Sequence, residues 1–385
     1  MPEKEPLLLG DYSRWLAQQL KSERVPEYSF LNPAYKDVEK WREQALKVFE
    51  RFILAPELTV PKVALLWTRN YDGLQIEKLS WHLPFGSVTE AYLLKPEHHT
   101  GALPGILGLH DHGRNKLFGK SKLVRIEQET PQEILDYQTE YYGGKAWANE
   151  LAKMGFTVLV HDVFPFESRR IRAEDLPTRV VSHLVEKKEV TSFDDPAWYH
   201  EFAYQSESLI AKSFFTAGLT WPGVTLAEDR IALQILTSRE DVDLNRIGCC
   251  GLSLGGLRSN YLAGSTPAIQ CAVTAGFMTT WADFINRTAI DHTWMYTIAG
   301  LPKLMEFADI LAMHAPKPAL VLSCIHDALF TLDQVKRAEI ILKATYAKAG
   351  QTDSFSFSYH EGPHRFDVAM QEEAFNWLKR WLSRG

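Results

Sequence analysis

The chain has 385 residues, 45% of them apolar and 23% charged, with a formal net charge of −6. Those values describe a globular protein long enough to bury a full core without help from metals or disulfides. They exclude a broad basic footprint for nucleic acid and a polybasic membrane anchor. Cys249, Cys250, Cys271 and Cys324 sit in apolar, strand-like runs. Their spacing fits neither a zinc site nor a disulfide framework, so they read as small buried hydrophobes. The charged start Met1-Pro2-Glu3-Lys4-Glu5 and the short run Leu7-Leu8-Leu9 do not make a signal peptide. No run is long enough to span a bilayer, and the expectation is a cytoplasmic protein.

In chain order, the first sixty residues read as amphipathic helices. Tyr12, Trp15 and Leu16, then Val38, Trp41, Ala45, Val48 and Phe49, recur at helical spacing. Residues 1–74 are therefore expected as a helical N-terminal extension to a main domain over 75–385. Residues 76–94 alternate like paired strands about the turn Pro84-Phe85-Gly86-Ser87, and 105–109 form an apolar strand. A helix over 146–153 closed by Gly155 then leads into a strand over 157–160. Further helix and strand pairs follow: helix 229–239 with strand 246–250, and helix 254–263 with strand 269–274. After these come strand 318–323, helix 332–347, strand 354–359 and a last helix over 368–382. Short apolar strands alternating with helices predict an α/β fold, a mostly parallel sheet flanked by helices on both faces. Two aromatic-rich stretches, about 163–222 and 277–312, interrupt the alternation. Each follows a strand, which puts it at the carboxyl edge of the sheet, where a cap over a ligand would sit.

The chemistry centres on Gly251-Leu252-Ser253-Leu254-Gly255, with Gly256 next. A serine hydroxyl is a weak nucleophile until an imidazole takes its proton and a carboxylate orients that imidazole. A sharp strand-to-helix turn exposes such a serine, and its close neighbours must lack Cβ atoms. Strand 246–250 before Ser253 and helix 254–263 after it supply that context. The partners should follow in the order acid, then histidine, each beyond a strand. Asp327 falls just after strand 318–323, and His364 after strand 354–359 in His360-Glu361-Gly362-Pro363-His364. Asp333 and His360 are the competing acid and base, and His326 reads as a neighbour of Asp327. An oxyanion needs two N–H donors. The backbone of Leu254 is one, and that of Arg114, in the loop His110-Asp111-His112-Gly113-Arg114, is taken as the other, with Asn115 as its alternative. His110 and His112 would point the same way in an extended loop, but no third ligand accompanies them, so neither a metal nor a cofactor is expected. Arg258 reads as a structural ion-pair partner.

The stretch from Asp229-Arg230-Ile231-Ala232 through Asp241-Val242-Asp243 into the serine elbow resembles the α/β-hydrolases of the dienelactone hydrolase and acetyl xylan esterase-like group. So do the Leu109-His110-Asp111-His112-Gly113 loop and the Gly362-Pro363-His364 ending. The resemblance covers roughly 75–385 and implies Ser253 as nucleophile, Asp327 as acid and His364 as base. Dienelactone hydrolases carry a cysteine nucleophile, so serine here shifts the expectation to ordinary carboxylic esters. The two insertions and the helical N-terminus also exceed that group's minimal core. The function expected is a serine esterase working through an acyl-enzyme on small acyl or acetyl esters, such as acetylated carbohydrates or aryl esters. The alternatives are a serine peptidase of the prolyl oligopeptidase kind and a non-catalytic hydrolase-fold binding protein. Of the aromatics in the insertions, Trp198, Tyr199, Phe202, Tyr204, Trp281, Phe284, Trp294 and Tyr296 could line a pocket or form the cap's own core. The expected partner is a small-molecule ester, and the sequence leaves the oligomeric state open, a homo-oligomer included.

Overall fold

Helices dominate the first fifty residues for reasons visible in their side chains. In a computed structural model of the protein, which describes residues 7–20, 24–185 and 195–383, α1 (Asp11–Gln19) and α2 (Val38–Ile53) come first. Asp37 caps α2 by accepting from the N–H groups of Glu39 and Lys40. Trp41, Ala45, Phe49 and Ile53, four residues apart, form its buried stripe. That stripe packs into the main core, and Gly223 lets it approach closely, since a Cβ there would lie 2.2 Å from the carbonyl oxygen of Ile53. The charged N-terminal residues 1–5 lie outside the described residues.

Nine strands follow in a single sheet. The meander β1 (Ala64–Tyr71), β2 (Leu74–Trp81) and β3 (Thr89–Pro96) is antiparallel. Then come β4 (Leu103–Leu109), α3 (Gln132–Tyr142), α4 (Trp147–Lys153) and β5 (Thr157–His161). Next are α5 (Thr178–Leu184), α6 (Pro196–Gln205), α7 (Glu207–Thr216), α8 (Trp221–Thr237) and β6 (Val242–Leu252). The chain continues with α9 (Leu254–Ser265), β7 (Cys271–Ala275), α10 (Trp281–Asp283), which runs on into a π-helical turn, and α11 (Phe307–Ala312). It ends with β8 (Ala319–Cys324), α12 (Leu332–Lys348), β9 (Phe355–His360) and α13 (Val368–Leu382).

The strand order is β1-β2-β3-β5-β4-β6-β7-β8-β9, parallel from β5 to β9. Alternation within the parallel strands sends successive side chains to opposite faces. Ala319 and Val321 of β8 join the cluster that holds α2, α8, α9 and α12, whereas Leu320 and Leu322 join the one that holds α4 and α13. The mostly parallel sheet flanked by helices is as expected.

Two elements differ from the sequence expectation. Among the described residues up to 74, helix is confined to α1 and α2, and 64–71 is instead the edge strand β1. Its exposed Leu65 and Leu66 carry no alternation to betray it, and a bulge breaks its register between Leu65 and Trp67. Helix α3 lies in a segment where no helix was expected. The two insertions leave the carboxyl ends of β5 and β7, as the pattern required; residues 186–194 of the first lie outside the described residues. No helix among the described residues is long and apolar enough to cross a membrane, and all four cysteines are free and buried.

Trp41 locks the N-terminal segment to the core. It is fully buried, its indole N–H donates to the Tyr28 carbonyl at 2.9 Å, and its ring lies 5.2 Å from Phe30. Trp41→Ala is expected to cost about 3–5 kcal/mol, as large-to-small aromatic truncations in cores do. Urea denaturation should show this as a lowered midpoint with an unchanged slope; an unchanged midpoint would show the helix to be only loosely attached.

Candidate active site

Ser253 stands between β6 and α9 with φ 57 and ψ −118, a left-handed conformation that β-carbon-bearing residues adopt only at a cost of about 1–3 kcal/mol. The neighbouring glycines explain how the chain reaches it. A Cβ on Gly255 would lie 2.1 Å from the Leu109 carbonyl oxygen, one on Gly251 2.5 Å from the same atom, and one on Gly256 2.6 Å from the Ala275 oxygen. The helix therefore presses its first turn directly against β4 and β7, and the N–H of Ser253 donates to the Ala275 carbonyl at 2.9 Å. The strand-turn-helix context read from the sequence is present.

Beyond β8 and β9, two loops are joined to each other. The N–H of Ile325 donates to the His360 carbonyl at 2.9 Å, and that of His326 to the Gly362 carbonyl at 3.2 Å. This pairing sets Asp327 Oδ2 2.6 Å from His364 Nδ1, and Asp327 Oδ1 accepts from the Leu329 N–H at 2.9 Å. A ring that donates from Nδ1 keeps Nε2 as an acceptor. Ser253 and His364 line the same cleft. The competing residues lie elsewhere: the Asp333 side chain is exposed on α12 near Arg287, and His360 Nε2 is bonded to Glu373 at 2.8 Å. His326 is exposed at the rim and reaches Glu361.

The loop after β4 differs from the sequence reading in one respect. The Arg114 N–H donates to His112 Nδ1 at 3.1 Å, and the Asn115 N–H to the His112 carbonyl, so both suggested oxyanion donors are already engaged. Arg114 has φ 52, which turns its N–H back onto the ring two residues earlier. His110 and His112 also diverge. His110 faces the interior, with Nδ1 on the Asp111 carbonyl, while His112 Nε2 bonds Glu207 at 2.9 Å. Among the described residues no three metal-ligating groups gather.

Several residues holding this loop carried no sequence signal. The Asp111 carboxylate accepts from the hydroxyls of Tyr137 and Tyr142, both buried. Lys122, fully buried, donates to the carbonyls of Asp111 and His112 at 3.1 and 2.9 Å. Glu207 takes hydrogen bonds from His112 and from buried Lys116. Burial alone would push Glu207 up, but these partners outweigh it and hold its carboxyl well below the usual range. Behind the elbow, Arg258 pairs with Asp229 at 2.7 Å and donates to the His110 carbonyl at 3.0 Å, a structural ion pair as expected.

The cleft has a volume of about 820 Å³. The insertion aromatics divide cleanly. Trp198, Tyr199 and Phe202 form the first insertion's own small core, and Trp281 stacks on Phe307. Tyr204, Phe284, Trp294 and Tyr296 line the cleft.

His292 also lines it, its ring nearly parallel to those of Phe284 and Tyr296 and in contact with both, with Nε2 on the Leu329 carbonyl at 3.0 Å. Burial lowers its pKa from 6.5 to about 4. Between those values the unfolded chain binds a proton that the folded chain refuses, so stability must fall as pH drops through this window. Burial lowers His112 in the same direction. Replacing His292 by Phe, which keeps the stack, is expected to flatten the fall of Tm between pH 6.5 and 4.5. An equally steep fall in the variant would show that His292 takes no part in it.

The comparisons agree with this architecture. Residues 211–385 match the sequence model of the prolyl oligopeptidase family. The chain is 26% identical over 293 residues to a putative hydrolase, YtaP, of Bacillus subtilis (strain 168), covering 76% of this chain and 83% of that one. Among solved structures it is similar to a putative acetyl xylan esterase from Bacteroides fragilis, with TM-score 0.68 and 17% identity over 94% of this chain and 84% of that one. It is also similar to a glucuronoyl esterase from Solibacter usitatus, with TM-score 0.61 and 14% identity over 92% and 97% of the two chains. The sheet order, the strained serine between β6 and α9 and these similar structures show that the chain has the α/β-hydrolase fold.

Proposed function

We propose that the protein is a serine carboxylic ester hydrolase acting through an acyl-enzyme. The observation that carries this reading is the 2.6 Å contact from His364 to Asp327 in a cleft whose wall also holds the strained Ser253. Asp327 fixes the His364 tautomer and balances the imidazolium that forms. His364 Nε2 takes the Ser253 proton as Oγ attacks the ester carbonyl. The carbonyl electron pair moves onto oxygen, and that oxyanion needs N–H donors. Leu254 is one, since the first N–H groups of a helix have no partner within it. The second donor is the N–H of His112 rather than that of Arg114, because the Leu109–His110 main chain lies against the elbow, His112 follows it into the cleft wall, and the Arg114 N–H is bonded elsewhere. Each such donor is worth about 10²–10³ in kcat. The alcohol then leaves with the proton from His364, and water activated by the same ring releases the acid.

The substrates favoured are small acyl or acetyl esters, such as acetylated carbohydrates or aryl esters. The cleft's Tyr204, Phe284 and Trp294 offer ring faces for a sugar or aryl group. The esterase names of the solved structures with this fold support the same direction. A small-molecule ester as partner needs neither metal nor cofactor for this chemistry. The free, buried cysteines support a cytoplasmic setting. A peptidase reading is favoured by the prolyl oligopeptidase family match alone.

A fluorophosphonate probe should label wild-type protein and leave Ser253→Ala unlabelled. p-Nitrophenyl acetate turnover in Ser253→Ala should fall by about 10⁵ or more, as nucleophile deletions do. Turnover of peptide anilides above that of acetyl esters would transfer the assignment to the peptidase, and an unlabelled wild type would end both readings.

A further inference from the structure

A second carboxylate–imidazole pair, separate from Asp327 and His364, joins the first insertion to the loop after β4. Glu207 opens α7 where it meets α6, and its Oε1 lies 2.9 Å from His112 Nε2. The other ring nitrogen of His112, Nδ1, accepts the Arg114 N–H at 3.1 Å. A ring that accepts at Nδ1 carries its proton on Nε2 and gives it to the carboxylate, so one tautomer serves both contacts. With both nitrogens engaged, this imidazole is set for holding and not for proton transfer. Phe166 meets it edge-on at 5.5 Å. The carboxylate is fixed in turn by buried Lys116, whose ammonium donates to Glu207 Oε1 and, at 3.0 Å, to the Ala203 carbonyl of α6.

We propose that Glu207 is a positioning residue for ester hydrolysis, holding through the His112 ring the backbone N–H that receives the oxyanion. This rests on the esterase reading of Ser253, with His112 as the second donor. The direction of that N–H is set from two sides. The amide that carries it has the Asp111 carbonyl at its other end, and Lys122 takes that carbonyl at 3.1 Å and the His112 carbonyl at 2.9 Å. From the other side, the ring clamps the turn that follows, where Gly113 and Arg114 have φ 51 and 52. A left-handed residue bearing a Cβ is strained, and the contact from the Arg114 N–H to the ring helps to hold it there. A ring fixed at both nitrogens also fixes its own Cα–Cβ bond, and with it the peptide on which the N–H sits. Among the described residues no acceptor takes the His112 N–H, which leaves it for the charge that develops at the ester carbonyl. Burial lowers the pKa of His112. At Glu207 burial is outweighed by the bonds from His112 and Lys116, so a neutral ring on an ionised carboxylate is the resting arrangement. The first insertion thereby acts on the chemistry through a loop to which it does not belong.

Removing Glu207 alone would strand Lys116 as an unpaired buried charge, so the test replaces both. In Lys116→Met/Glu207→Leu the ion pair gives way to apolar groups of similar size, an exchange that often leaves stability equal or higher. His112 then loses its carboxylate. With p-nitrophenyl acetate, assayed well below the melting temperature, kcat should fall about tenfold, a part of the 10²–10³ that one oxyanion donor contributes. KM should change by less than about twofold, the signature of an interaction made in the transition state. Inhibition by a boronic acid, which forms a tetrahedral adduct on serine, should weaken about tenfold in parallel. Inhibition by the product acid should not change. Lys116→Met/Glu207→Gln, which returns an acceptor to the ring without a buried charge, should recover kcat to within about threefold of wild type. His112→Asn gives a second route that keeps the Glu207–Lys116 pair. Its side-chain oxygen can still take the N–H two residues on but is too short to reach Glu207, and the same tenfold loss is expected. Wild-type kcat in the Leu variant or in His112→Asn, or no recovery with Gln, would overturn the role of Glu207 and leave the esterase standing. So would a loss in which KM, product binding and Tm move together, the mark of a residue that only packs the cap. A wild type that neither turns over esters nor takes a fluorophosphonate on Ser253 would overturn both.

Discussion

The close approach of α9 to β4 and β7 is the constraint on which the site depends. Three glycines let main chain meet main chain there, with space at Gly255 that no side chain could share with the Leu109 carbonyl. Only that approach allows a serine at φ 57 to stand free of both strand and helix. The strain at Ser253 is sustained because the surrounding contacts over-determine it. Its N–H bonds the Ala275 carbonyl, its own carbonyl accepts from the Leu257 N–H, and the whole of α9 is buried. The same approach carries the loop after β4 past the elbow, which brings candidate backbone donors beside the nucleophile without any residue dedicated to that purpose.

That loop is irregular backbone in a buried setting, and its polar groups need partners. The protein supplies them with buried charges. Lys122 satisfies the carbonyls of Asp111 and His112, Asp111 is held by two tyrosines, and Arg258 takes the His110 carbonyl while paired to Asp229. Burying charges is costly, and apolar replacements often give equal or better stability. Their worth here lies in direction. A donor aimed at the Asp111 carbonyl also polarises the peptide that carries the His112 N–H, since both belong to one amide. The network thus couples the rigidity of the loop to the donor strength of a group that faces the cleft.

What the sequence made legible follows from how local each signal is. The final helix over 368–382 is found with those bounds, because its apolar stripe of Met370, Ala374, Phe375 and Leu378 is strictly periodic. The elbow is legible because its glycines answer a steric need within five residues. Asp327 and His364 were legible as places just beyond strands, which the joined loops at 325–326 and 360–362 then bring side by side. Strand β1 was not legible, since an edge strand with its apolar residues exposed shows no period. Helix α3 was hidden for a different reason: its inward face carries Tyr137, Gln138 and Tyr142, which are buried for hydrogen bonding rather than for apolar packing. Lys116 and Lys122 were invisible on the same principle, because lysine is the residue least expected inside a protein. The Arg114 donor was read from its place in the loop after β4, and its N–H is instead bonded to His112 Nδ1. Its left-handed backbone is a local detail that sequence spacing does not encode.

The insertions show how a common sheet edge becomes a particular site. The segment after β5 spends most of its aromatics on itself, with Trp198 stacked on Phe202 at 5.2 Å, and sends Glu207 to the ring of His112. The segment after β7 does the reverse, gathering Phe284, His292 and Tyr296 into a cluster of rings that lines the cleft with Ser253. One insertion therefore braces the loop after β4 from outside, and the other forms part of the cleft wall that also holds Ser253. The glycines and the β8 and β9 loops hold Ser253, Asp327 and His364, and the aromatic walls of the cleft come from the insertions.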